Sequence, residues 1–149
     1  MKLVQECEFR GVLKPPVPVG AGPIGTRMVY EITGGEVSGD RRRGKVSGGG
    51  DWGLVGPDGF LRLDVRTQIE THDGAHIYVQ YLGLLEVNEK VQSALANGTG
   101  TEFEDQYFYT NPRMETGDER YAWLNTTFFI GQGHILPDLG VEYRIFRPE

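Results

Sequence analysis

Residues Phe60 to Gly83, FLRLDVRTQIETHDGAHIYVQYLG, set the architecture. Leu61, Leu63, Val65, Thr67, Ile69 and Thr71 alternate with Arg62, Asp64, Arg66, Gln68 and Glu70, the period of two that a strand with unlike faces requires. Thr71-His72-Asp73-Gly74 supplies a turn, its Asp-Gly pair suited to positive φ, and Ala75, Ile77, Val79 and Tyr81 then alternate in a second strand. The stretch reads as a β-hairpin. Its polar face carries groups able to act on a ligand, and a second polar and aromatic run follows at Tyr107 to Asn125. If the two runs face one another inside a closed sheet, their polar groups share one cavity.

Outward from the hairpin, turn residues recur at short intervals. Glycine makes up 22 of the 149 residues, about twice its usual share of ~7%, and eight prolines punctuate the rest. That composition favours many short strands over helices, and the length suits one domain, residues 1–149. Further strands are expected at Leu3 to Leu13, Thr26 to Thr33, Glu36 to Val46, Gln106 to Thr110, Ala122 to Ile130 and Val141 to Phe146. Pro15 to Gly25 and Gly48 to Trp52 read as loops. One short helix is expected from Asn88, a capping residue, to Ala96, with Asn97-Gly98 ending it. The whole is an all-β antiparallel barrel or sandwich of about eight or nine strands.

Net charge −6 argues against a nucleic-acid partner. Arg41-Arg42-Arg43 reads as a solvated turn, and the single Cys7 as a buried core thiol. No apolar run is long enough to cross a bilayer and no signal-peptide core is evident, so a cytoplasmic protein is expected. No metal-ligand spacing stands out, and neither a metal nor another cofactor is expected.

Asp64-Val65-Arg66, THDGAHIYVQYLG at Thr71 to Gly83, ETGDERYAWLN at Glu115 to Asn125 and GPIGTR at Gly22 to Arg27 resemble the family called domain of unknown function 3237, or uncharacterised protein family 0311. The resemblance implies a small antiparallel barrel, calycin-like or allene-oxide-cyclase-like, often dimeric. It also suggests cofactor-free work on aromatic or polyketide-like molecules.

The residues themselves place the chemistry. Asp64 and Arg66 point the same way on one strand and are expected to turn into an enclosed pocket, Arg66 holding a carboxylate, phenolate or enolate oxygen while Asp64 orients it or acts as base. Glu115 is the second candidate base, since partial desolvation would raise its pKa. Tyr30, Trp52, Thr71, Asp73, Tyr78, Tyr107, Tyr109 and Trp123 are expected to line the pocket, and Asn125 to donate to a developing oxyanion. The function expected is a cofactor-independent lyase or isomerase/cyclase acting by carboxylate acid/base chemistry on a small molecule in the barrel. The alternative is a non-catalytic binding barrel. A homodimer is the expected assembly.

Overall fold

The computed structural model describes residues 1–149. The strands are β1 (Leu3–Leu13), β2 (Val17–Gly22), β3 (Gly25–Ser38), β4 (Gly44–Val46), β5 (Gly50–Val55), β6 (Phe60–Thr71), β7 (His76–Glu86), β8 (Phe108–Thr110), β9 (Arg113–Glu115), β10 (Ile130–Leu136) and β11 (Gly140–Pro148). Eight of them close an antiparallel barrel in the order β6, β5, β3, β1, β11, β10, β8, β7 and back to β6. β2 pairs with β3, β4 bridges β3 and β6, and β9 extends the sheet from the end of β7. Closure removes the free edges that would otherwise recruit another strand. No helix is long and apolar enough to cross a membrane.

The central hairpin forms as its alternation predicts, β6 pairing with β7 from Phe60↔Glu86 to Glu70↔His76. The Thr71 hydroxyl tightens the turn by accepting from the Ala75 amide at 2.8 Å and donating to Asp73 Oδ1 at 2.6 Å. The faces, however, are sorted by hydrophobicity: Leu61, Leu63, Val65, Thr67, Ile69 and Thr71 point into the barrel and are buried. Arg62, Asp64, Arg66, Gln68 and Glu70 are therefore on the outer wall. With Tyr81, Phe108, Phe129, Tyr143, Ile145 and others the lumen is filled by a 24-residue core. A residual cavity of about 50 Å³ remains at the end near α1 (Glu89–Asn97).

That helix matches expectation at both ends: Asn88 Oδ1 accepts from the Val91 amide at 3.0 Å, and Gly98 closes it in the left-handed region. Four stretches differ from the sequence expectation. Val17–Gly22 and Gly50–Val55 are paired strands and not loops, because the first half of β3, Gly25 to Glu31, lies between them and offers each a ladder. Ile130–Leu136, where Gly131-Gln132-Gly133 suggests a turn, is a strand between β8 and β11. Ala122 to Ile130 is no strand at all. Asp118 accepts from the Arg120 amide and starts a 3-10 segment, Glu119–Thr126, that buries Tyr121 and Leu124, three residues apart.

Gly35 packs β3 tightly against β1. It adopts φ +142°, and a Cβ there would lie 2.0 Å from the Arg10 carbonyl oxygen. Gly35→Ala is expected to lose more than about 3 kcal/mol, read as a lowered urea midpoint; a change under about 1 kcal/mol would contradict this packing.

Candidate functional site

The strand register that fills the lumen also assembles a groove outside it. On the outer wall β9 lies beside β7, so Glu115 is directly opposite Tyr78, and Arg113 directly opposite Gln80. Side chains so opposed stand about 5 Å apart, and alternate residues along a strand about 7 Å apart, so the four cover a patch the size of one aromatic ring. The second wall is Leu124 to Phe128, and the half-open groove between them measures about 530 Å³. Phe128, 81% exposed, stands at its rim. Across β7, Arg66 and Gln68 of β6 continue the two rows beside Gln80 and Tyr78.

Asn125 holds the second wall in place. Its Oδ1 accepts from the Thr116 amide at 2.8 Å and its Nδ2 donates to the Thr116 carbonyl at 3.0 Å, as a neighbouring strand would. Oδ1 and one Nδ2 hydrogen are thereby engaged, so Asn125 serves as a strap at the border of the groove and keeps one N–H free. Asp73 has a related task. It accepts from Thr71 and from the Tyr121 hydroxyl at 2.8 Å and pairs with Arg120 at 3.2 Å, which pins the 3-10 segment to the hairpin turn and holds its pKa below the usual carboxylate range.

The other expected site residues are dispersed. Asp64 and Arg66 form no ion pair and face away from the lumen, which corrects the expectation of an enclosed pocket, because the apolar face of β6 has the stronger claim on the interior. Glu115 is exposed on the outer face of β9 and not partly buried as expected. Trp52 lies outside on β5, 45% exposed. Tyr107 and Tyr109 stack edge to face at 4.8 Å on the outer wall of β8, apart from the groove. Trp123 is covered by the Arg41 guanidinium at 3.6 Å and by Phe129. Thr71 is buried but spent on its turn, and only Tyr30 of the expected set borders the internal cavity.

Inside the barrel the structure adds a carboxylate from a stretch whose sequence suggests a loop. Register aligns Tyr30, Asp51, Val65 and Tyr81 across β3, β5, β6 and β7, all facing inward. Asp51 is 6% exposed, and its Oδ1 accepts from the Asp64 amide at 3.0 Å where the β5–β6 ladder is interrupted. No partner meets its other oxygen. Burial pushes its pKa up from 3.8 to about 6, outweighing that one backbone bond, and its charge helps raise the Tyr30, Tyr81 and Tyr143 phenols. Hydrophobic alternation in Asp51-Trp52-Gly53-Leu54-Val55 points the other way, with Trp52 and Leu54 sharing a face, so local pattern carries no signal for an inward Asp51.

Comparison with known proteins places the chain among relatives. A family described as "Protein of unknown function (DUF3237)" matches residues 1–147. A UPF0311 protein of Rhodopseudomonas palustris strain TIE-1 is 38% identical over 114 residues, 74% of each chain. A solved conserved protein of unknown function from R. palustris superposes with TM-score 0.87 at 27% identity, covering 98% of this chain and 96% of that one. An enzyme from Penicillium herquei shares the fold at TM-score 0.73 and 23% identity, covering 99% and 94%.

Proposed function

The chain belongs to the DUF3237 family, and from that premise we propose that it is a cofactor-independent enzyme moving a proton on a small aromatic or polyketide-like molecule, a lyase or isomerase/cyclase by reaction type. The observation that supports this reading is the convergence of Tyr78, Gln80, Arg113 and Glu115 in the 530 Å³ groove. Glu115 is the base, taking a proton from carbon or oxygen. Arg113 and Gln80 hold the oxygen on which negative charge develops, the planar guanidinium suiting an enolate or phenolate, and Tyr78 packs against the ring. Arg66, beside Gln80, adds positive charge to the same row. That a fold neighbour is called an enzyme is consistent with this but does not assign a reaction.

A second reading rests on Asp51. A carboxyl held near pKa 6 beside a cavity is well matched to acid/base work at neutral pH. The cavity of about 50 Å³ is far below the ~300 Å³ of ordinary ligand pockets, so a substrate there requires Leu95 and Leu139 to move aside. We favour the groove, which requires no such movement. The exposed side chains Leu82, Leu84, Tyr107 and Tyr109 on the outer wall support a homodimer.

Deuterium exchange at the acidic carbon of an aryl β-diketone such as benzoylacetone, followed by NMR in buffered D₂O, tests the reading. Exchange at least tenfold above the buffer rate is expected. Binding without accelerated exchange would instead establish the non-catalytic barrel.

A further inference from the structure

The turn between β10 and β11 holds the chain's two non-glycine residues of positive φ, Asp138 at +59° and Leu139 at +60°. Aspartate tolerates that region; for a bulky side chain it is strained, and glycine is what such a turn ordinarily uses. Leu139 is held there from both sides. Its carbonyl accepts from the Leu13 amide at 3.1 Å, and the Asp138 amide donates to the Gly98 carbonyl at 3.2 Å, tying the turn to the end of α1. In that conformation Leu139 borders the internal cavity beside Leu95 of α1. Leu139 is half-buried and Leu95 is 38% exposed, so the two leucines stand between the cavity and solvent.

The cavity they close is more than a packing gap. Its lining is apolar except for Tyr30 and Asp51, and it includes no cation. Asp51 is 6% exposed, with one oxygen taken by the Asp64 amide and the other without a donor. A carboxylate in such surroundings is unfavourable until a donor reaches it. An ammonium would bring three N–H groups to a lining with little to accept them; a hydroxyl brings one donor to one free oxygen. At about 50 Å³ the cavity exceeds the ~10–15 Å³ that a water needs, and it admits a ring once Leu139 swings outward. We infer that the α1 end of the lumen is a second small-molecule site, gated by Leu139, for a neutral ring-sized alcohol or phenol whose hydroxyl donates to Asp51. Strain at Leu139 favours opening, because leaving the left-handed region relieves it. The site lies inside the barrel wall, apart from the groove, and does not depend on what the groove binds. An anion such as benzoate is repelled by Asp51 and stays out.

Methyl NMR titration of the intact protein at pH 8 with phenol, against benzonitrile of similar size that accepts a hydrogen bond but cannot donate one, tests it. Phenol is expected to shift the methyls of Leu13, Leu95 and Leu139 and to bind at least fivefold tighter than benzonitrile. Asp51→Asn keeps the acceptor for the Asp64 amide but puts a donor where the free oxygen was, and is expected to bring the two to parity. Leu139→Gly suits the positive φ and removes the gate, so it is expected to bind phenol at least threefold tighter than the native protein. Should that variant fail to fold, Leu139→Ala is expected to gain at least twofold. Phenol shifts that are absent or confined to the groove, equal binding of phenol and benzonitrile, an undiminished preference in Asp51→Asn, or no gain in the Leu139 variants overturns the inference. Each of these leaves the groove reading standing.

Discussion

Asp51→Asn is expected to stabilise the protein at pH 8 and to flatten its stability between about pH 4 and 6. The native carboxyl titrates near 6 and the unfolded one near 3.8, so between those values the folded state holds more protons. Stability then falls as pH rises through that window, by about 3 kcal/mol in all, and stays lower above it. Carboxylates held low in the fold, such as Asp58, Asp73, Asp118 and Glu142, act in the opposite sense and lose their contribution as pH falls. The difference between native protein and variant isolates Asp51. Asparagine keeps the acceptor for the Asp64 amide and removes the charge, so a gain of about 1 to 3 kcal/mol at pH 8 is expected in urea unfolding. A loss of stability at pH 8, or an unchanged slope, would show that the carboxylate is compensated inside the barrel.

Glu115→Gln is expected to lower catalysed exchange by a factor of about 10² to 10⁴ with the fold unchanged. The side chain is exposed and makes no ion pair, so replacing it removes the base and little else. Arg66→Ala, one strand further from the groove, should have a smaller effect, because Arg66 adjoins Gln80 without bordering the groove. The reverse pattern, Asp51→Asn inactive and Glu115→Gln unaffected, would move the chemistry into the lumen.

The barrel itself was legible because its signals are local. Alternation in Phe60 to Thr71, the Asp-Gly turn and the Asn88 cap each specify a conformation within a few residues. What was not legible was the side of the sheet on which function lies. Period 2 separates two faces but does not say that the polar face is outside; burial of six aliphatic and threonine side chains decides that. The groove depends on β9 meeting β7 across some thirty residues of chain, and on Asn125 closing its edge, neither of which local pattern encodes. Arg42, buried where its sequence suggests a solvated turn, is illegible for a similar reason. Its two arginine neighbours are exposed, and only the folded corner of Cys7, Met114 and Phe129 distinguishes it from them.

The account turns on where a small molecule sits. Titrating the isotopically labelled protein with benzoate and mapping the shifted backbone amides tests this directly. Shifts concentrated at Tyr78, Gln80, Met114, Glu115 and Thr126 to Phe128 are the predicted result. Shifts concentrated at Leu13, Asp51, Leu95 and Leu139, around the internal cavity, would contradict it.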